Sequence, residues 1–248
     1  MTRSALARVF AASPNIEPRP GGRRPGMIVL HYTGMESAAA ACAWLCNKAS
    51  GVSCHYLVEE DGGIIQMVGE EMRAWHAGLS HWRGDADTNT RSIGIEIQNP
   101  GHAMGYPDFP DAQIEAVIAL CRDIGKRHDI RPRNIVAHSD VAPGRKIDPG
   151  EKFDWARLHR EGIGHWVEPA AIAQGPVSQL GDRGPEVGRL QALLETYGYG
   201  VPLNGEFDIA TQNAVSAFQR HFRTQRIDGM ADRSTVETLA RLVAALRD

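Results

Sequence analysis

The stretch SIGIEIQNP, residues 92–100, sets Ile93, Ile95 and Ile97 in strict alternation with Gly94, Glu96 and Gln98. Successive side chains of a strand point to opposite faces, so this run reads as a strand with one apolar face and one polar face. The polar face carries a carboxylate in mid-strand, where carboxylates are rare unless they are solvated or used. That one strand fixes a sheet as the centre of the fold and marks Glu96 as a residue to explain.

Other runs extend the same pattern. MIVLHYT (27–33) is a short apolar, β-branched run suited to a buried strand. VSCHYLVEE, DGG and IIQMVGE read as strand, tight turn and strand, a hairpin turning at Asp61-Gly62-Gly63. NIVAH (134–138) is again strand-like. Between them, ESAAAACAWLCNKAS (36–50) is Ala-rich and predicts a helix, and DAQIEAVIALCRDIGKRHDI (111–130) carries an apolar stripe at Ile114, Val117, Ile118, Cys121 and Ile124. FDWARLHREG adds a final short helix. Residues 26–165 are therefore expected to form an α/β domain, a mixed central sheet flanked by helices.

The remainder differs in kind. Residues 166–178 are low in charge and broken by Pro169, Gly175 and Pro176, which marks a linker. Three helical patterns follow in 179–248, and they contain an internal repeat. Asn204-Gly205 precedes Asp208 and Thr211, while Asp228-Gly229 precedes Asp232 and Thr235. Each copy is a turn followed by an Asp placed to cap a helix with Thr at its third position. A small all-α three-helix domain is expected there. Residues 1–25, rich in Pro, Gly and Arg towards their end, read as a loosely held arm.

Bulk composition narrows the partners. With a formal net charge of −3 and 23% charged residues, the chain gives no reason to expect nucleic acid or an anionic membrane. No apolar stretch is long enough for a membrane span or a secretory signal. Cys42, Cys46, Cys54 and Cys121 follow no metal-binding or disulfide spacing and fit a reducing compartment. A soluble, cytoplasmic protein is the expectation, with the periplasm or the extracellular space as the alternative; the oligomeric state is not legible.

His31 and His138 each end an apolar run, and side chains at adjacent strand ends can converge. Asp148, ten residues after His138 in AHSDVAPGRKIDPG (137–150), could add a carboxylate. Two histidines and an aspartate with a fourth position open are the ligand set of a catalytic zinc; a structural zinc would be closed by four ligands. A histidine at a strand end is more often a surface or satisfied core residue, and spacing alone is weak evidence for the ligand set. Glu96 would suit proton transfer if its face lines a cleft. Lys146 would share Asp148's side of an extended segment and could reach a developing oxyanion, although an ordinary surface lysine needs no such role.

Taken together, HYT (31–33), RAWHAG (73–78), SIGIEIQNPG (92–101) and AHSDVAPGRKIDPG closely resemble the zinc-dependent N-acetylmuramoyl-L-alanine amidases of the type-2 amidase fold, shared with the peptidoglycan-recognition proteins. The resemblance covers about residues 25–165. The tail, with Val187, Leu190, Gln191 and Leu193, Gly198-Tyr199, NGEFD, Phe218-Gln219 and Asp228-Gly229, resembles a three-helix peptidoglycan-binding domain. The resemblance implies one zinc ion held by His31, His138 and Asp148, with Glu96 as the catalytic glutamate and Lys146 as the catalytic lysine. It also implies Trp75 and His76 along the substrate cleft, His55 as fold support or cleft wall, and Asp140 as a turn or supporting residue. The implied reaction is hydrolysis of the amide between the lactyl group of N-acetylmuramic acid and L-alanine, on peptidoglycan or its muropeptides, in wall turnover or recycling. Two rivals stand beside it: a peptidoglycan-binding or sensing protein without catalysis, and a zinc endopeptidase cutting within the stem peptide.

Overall fold

The computed structural model describes residues 3–175 and 177–246; Pro176, one of the linker's three breakers, lies outside them. Eight strands are present among these residues: β1 (Val9–Phe10), β2 (Ile16–Pro18), β3 (Met27–Tyr32), β4 (Tyr56–Val58), β5 (Ile64–Gln66), β6 (Met72–Ala74), β7 (Ser92–Ile97) and β8 (Ile135–Ala137). The α-helices are α1 (Ala38–Leu45), α2 (Thr88–Arg91), α3 (Asp111–His128), α4 (His138–Val141), α5 (Trp155–Arg160), α6 (Pro185–Tyr197), α7 (Ile209–Phe222) and α8 (Arg233–Ala244). Six strands form one sheet in the order β1-β5-β4-β7-β3-β8, and β2 pairs with β6 in a separate ribbon. Only β4 and β5, joined by the Asp61-Gly62-Gly63 turn, run antiparallel within the six, so the sheet is mixed.

The alternation of β7 sorts the layers. Ile93, Ile95 and Ile97 join Ile28, Leu30 and Ile135 on one face, beneath Ile114, Val117, Ile118, Cys121 and Ile124 of α3. Helix α3 suits its ends: Asp111 lies in its first turn and Lys126, Arg127 and His128 in its last, each charge opposing the adjacent pole of the helix dipole. The opposite face carries two separate apolar patches. Leu57 packs with Ala38, Ala41 and Leu45 of α1. Met27, Val29 and Val136 pack in one cluster with Val187, Leu190, Ala214, Phe218 and Leu239 of the three C-terminal helices. The C-terminal domain therefore roofs part of the sheet.

Several expectations need correction. Of the segment 1–25, read as a loose arm, the described residues 3–25 are held in place: β1 extends the main sheet, with Arg8 N–H and Ala11 N–H bonded to Ile64 and Gln66 carbonyls. Arg19, 5% exposed, donates to the carbonyls of Glu70, Asn89, Thr90 and Ser92. A guanidinium buried with that many acceptors fixes the segment in place. The segment read as a linker is sewn to α8, where Ala170 N–H meets Thr238 Oγ1 at 3.0 Å and Ser234 Oγ donates to the Ala170 carbonyl at 2.6 Å. The helix expected over 36–50 stops at Leu45, because Asn47 is extended and its side chain caps a new short turn at Lys48–Ser50. His138 does not end a strand; it opens α4, whose start is fixed by Asp140 Oδ2 accepting Ala137 N–H at 2.8 Å.

In the C-terminal domain the sequence repeat is a repeat of structure. Asp208 caps α7 through Thr211 N–H and Asp232 caps α8 through Thr235 N–H. Inside each copy sits a buried glutamine. Gln191 donates to Asn204 Oδ1, the Glu206 carbonyl and Thr211 Oγ1; Gln219 donates to Asp228 Oδ1, the Met230 carbonyl and Thr235 Oγ1. Each amide thus satisfies a turn that would otherwise bury unpaired polar groups.

Candidate active site

His31 and Glu96 lie near the carboxyl ends of the parallel strands β3 and β7, in register with one another. Both are on the face that the two apolar patches leave open between them. The chain reaches the third element of the site by folding back on itself. After α4 it turns at Pro143-Gly144, where Arg145 N–H and Lys146 N–H both bond the Ala142 carbonyl, and it closes with Ser139 N–H on the Asp148 carbonyl at 3.0 Å. Gly144 has φ +75, and a Cβ there would collide with Asn213 of α7, so the turn needs glycine both for its backbone and for the neighbouring domain.

That return places Asp148 beside both histidines. His31 Nδ1 lies 2.8 Å from His138 Nδ1 and 3.2 Å from Asp148 Oδ2, and His138 Nδ1 lies 2.9 Å from the same oxygen. All three residues are buried, and they are the one group of potential metal donors found among the described residues. Burial, together with the neighbouring His138, pushes the His31 imidazole down to about 4. Burial alone would raise the Asp148 carboxyl, and only a hydrogen on the facing Nδ1 of His138 or His31 would hold it well below the ordinary carboxylate range.

Glu96 has the opposite environment. Burial, reinforced by the charge of Asp148 and opposed by Lys146, pushes its carboxyl well above the ordinary value. Its Oε2 is buried without a hydrogen-bond partner. Glu96 is thus driven towards holding a proton in a cleft it shares with the metal-donor candidates, an environment typical of acid–base sites. Lys146 lines the same cleft, of about 400 Å³, as do Trp75 and His76. The structure therefore brings all seven candidate residues to one cavity.

Trp75 is half-buried and anchored, its indole N–H donating to Glu17 Oε1 at 3.1 Å. His76 faces the cleft but is also engaged behind it, with Nδ1 3.0 Å from His31 Nε2 and Nε2 3.1 Å from Ser92 Oγ. Burial, then the nearby His31 and His55, push its pKa well below the ordinary value. His55 is fold support: its Nδ1 accepts Gly94 N–H at 3.0 Å, and burial near Arg19 lowers it to about 3. Asp140 bridges the domains, accepting Tyr199 Oη–H at 2.6 Å and His221 Nδ1–H at 2.7 Å. Arg145 was not singled out in the sequence, yet it donates to the carbonyls of Ala77 and Leu79. Its only sequence signal is its place between His138 and Asp148.

The donor set fits zinc. Two imidazole nitrogens and one carboxylate oxygen are donors zinc accepts, and three protein ligands facing an open cleft leave a coordination position for water or substrate.

Comparison with known proteins agrees with this geometry. Residues 21–151 match the family model described as N-acetylmuramoyl-L-alanine amidase, and residues 183–239 match that of a peptidoglycan binding domain. The N-acetylmuramoyl-L-alanine amidase AmiD of Escherichia coli is 39% identical over 225 residues, covering 84% of this chain and 79% of AmiD. The 1,6-anhydro-N-acetylmuramyl-L-alanine amidase AmpD of Enterobacter cloacae is 32% identical over 59% of this chain and 86% of its own. The solved complex of AmiD with anhydro-N-acetylmuramic acid-L-Ala-D-gamma-Glu-L-Lys superposes with a TM-score of 0.76 at 36% identity, covering 92% of each chain. AMPDH3 of Pseudomonas aeruginosa, solved with anhydromuramic pentapeptide, gives 0.71 at 32% identity over 90% of this chain and 93% of its own. The chain belongs to the N-acetylmuramoyl-L-alanine amidase family.

Proposed function

We propose that the cleft hydrolyses the amide bond between the lactyl group of N-acetylmuramic acid and the L-alanine of the stem peptide, with peptidoglycan-derived muropeptides as substrates. The observation that carries this reading is the meeting of three buried donors with an unpartnered, protonation-prone Glu96 in one cleft. The solved AmiD complex, with its muramyl peptide, supports the substrate class.

His31, His138 and Asp148 would hold one zinc ion, which supplies Lewis acidity to the scissile carbonyl and to water. Glu96 takes the proton of the attacking water on its carboxylate and returns it to the L-alanine nitrogen as the C–N bond breaks. Burial favours the proton-holding form that the second half of the task needs, and the opposing charge of Lys146 favours the carboxylate that the first half needs. The Lys146 ammonium stabilises negative charge on the carbonyl oxygen, in a site whose burial strengthens every such interaction. Trp75, fixed through its indole N–H, gives the substrate a rigid wall.

Among the described residues no helix is long and apolar enough to cross a membrane. The free thiols of Cys42, Cys46, Cys54 and Cys121 support a reducing, cytoplasmic compartment, which fractionation of a tagged protein tests. For the activity, mass spectrometry of digests separates the readings. A muramyl sugar freed of its peptide is the expected product from soluble anhydro-muropeptides or intact sacculi. Scission between two amino acids would make the protein an endopeptidase, and absence of any cleavage would make it a binding protein.

A further inference from the structure

We infer that the segment Trp75–Ala77 sets the tautomers of both histidine donors, His76 through its ring and Ala77 through its carbonyl, so that each donor presents a bare Nδ1. The inference rests on the metal-site reading above, though not on which bond the cleft cuts.

The proton order follows from groups that can act in only one way. Ser92 Oγ donates its single hydrogen to the Thr88 carbonyl at 2.6 Å. Towards His76 Nε2, 3.1 Å away, the same oxygen can only accept, so Nε2 carries the hydrogen. In the neutral ring Nδ1 is then an acceptor, and the atom it faces at 3.0 Å is His31 Nε2. His31 Nε2 is therefore protonated and its Nδ1 is a lone pair. For His138, Nε2 lies 3.2 Å from the Ala77 carbonyl, which can only accept, so Nε2 again carries the hydrogen and Nδ1 is bare.

A consequence concerns Asp148. With the opposite tautomers, its carboxylate would be satisfied by two Nδ1–H donors and the cluster would be an ordinary buried hydrogen-bond network. With the tautomers set from Trp75–Ala77, three acceptor atoms confront one another at 2.8, 2.9 and 3.2 Å with no hydrogen between them. Such a cluster is destabilised until a cation enters it. The backing residues thus convert a hydrogen-bond network into a metal site.

The segment is held for that purpose from two sides. Asn89 Oδ1, on α2, accepts both His76 N–H and Ala77 N–H, at 3.1 and 2.8 Å. Arg145 donates to the Ala77 carbonyl that His138 also uses. Gly94 makes room for the ring: a Cβ there would lie 2.6 Å from His76 Cγ.

The test uses the full chain, metal-free and then titrated with zinc against a chromophoric chelator. His76→Asn keeps an acceptor near the position of Nδ1, whereas His76→Phe keeps the ring's bulk and removes the acceptor. The expected result is a loss of zinc affinity on the order of 10- to 100-fold for His76→Phe, with most of it recovered in His76→Asn. At a pH where both rings are neutral, imidazole ¹⁵N shifts of the metal-free wild type should show His31 and His138 each protonated at Nε2 alone. Equal losses of affinity in the two variants, or a neutral His31 or His138 that carries its hydrogen on Nδ1 in the wild type, would overturn the inference. The wild-type spectrum decides the matter even if a variant does not fold. A failure of the muropeptide assay alone would touch the proposed function and leave these two readouts standing.

Discussion

His31 and Glu96 are register partners across the parallel pair β3 and β7, so the proposed metal donor and the proposed proton carrier stand side by side on one face of the sheet. Neighbouring strands lie about 4.8 Å apart, a separation fixed by the backbone ladder and not by loop conformation. Placing both groups on adjacent strands of a packed sheet gives the site a rigidity that loops alone do not provide.

Glu96→Gln tests the division of labour between those two residues. The amide keeps the shape of the side chain and cannot carry the proton, so turnover is expected to fall by about 10²- to 10⁴-fold. Zinc content, measured by elemental analysis, should stay at the wild-type level. A parallel loss of zinc would make Glu96 part of the metal site and not the proton carrier. His138→Ala is the complementary variant, expected to lose metal and activity together.

The C-terminal roof is tied to the sheet through Asp140. Tyr199 Oη–H and His221 Nδ1–H both end on Asp140, whose side chain is fully buried two residues after His138. Tyr199→Phe leaves one carboxylate oxygen short of a donor, and the expected cost is ~1.5–3 kcal/mol, several degrees in Tm for a chain of this size. Ending the chain at residue 165 is expected to do far more, because Met27, Val29, Trp82 and Val136 would lose the apolar cover of the three C-terminal helices. Size-exclusion chromatography should find the shortened protein aggregated. A monodisperse, zinc-binding fragment would show instead that the roof is dispensable.

These contacts mark where the sequence stops being legible. The strand at 92–97, the apolar stripe of α3 and the Asp208 and Asp232 caps are local periodicities or local turn chemistry, and each was readable within a short window. Residues far apart along the chain could be joined into one candidate site only by resemblance to a known family, since 107 residues separate His31 from His138. The backing role of His76, the domain bridge at Asp140 and the strands within residues 1–25 had no such signal. Each depends on a partner tens of residues away and leaves no period behind. Gly94 is a case between the two: its alternation with isoleucine was plain, but the reason for a glycine there appears only when His76 is seen packed against it.

Away from the cleft, Glu70 predicts an acid-dependent contribution to stability. It is 2% exposed, and it accepts Tyr56 Oη–H at 2.6 Å, His128 Nε2–H at 2.6 Å and Arg127 Nη2–H at 2.8 Å. Burial would raise its pKa, but these bonds hold it at about 2 against an ordinary 4.5. Because the folded value lies below the unfolded one, the stabilisation is complete above about 4.5 and is lost as pH falls towards 2. Glu70→Gln should therefore be destabilised by ~2–3 kcal/mol at pH 6, since bonds to a charged acceptor become bonds to a neutral one. The deficit should shrink through that acid window in unfolding measured pH by pH. A deficit that stays constant down to the lowest pH would assign the cost to packing and not to the carboxylate's charge.

Gly94 has an ordinary backbone conformation, so the cost of a larger residue there is purely one of space. An added Cβ would meet His76 Cγ at 2.6 Å and Cys54 Sγ at 2.8 Å, closer than such atoms approach. Neither neighbour can yield freely: Cys54 is fully buried, and His76 is held between His31 and Ser92. Gly94→Ala is expected to cost ~1–3 kcal/mol, the usual range for overpacking a filled site. Because the displaced ring is His76, zinc affinity should fall with it, whereas a substitution of similar size at Gly105, where a Cβ meets nothing within 4 Å, should spare the metal even though its φ of +90 strains the backbone. Calorimetry and chelator competition on the two variants separate the effects. If Gly94→Ala lost stability but bound zinc as tightly as the wild type, the contact between Gly94 and His76 would be packing alone.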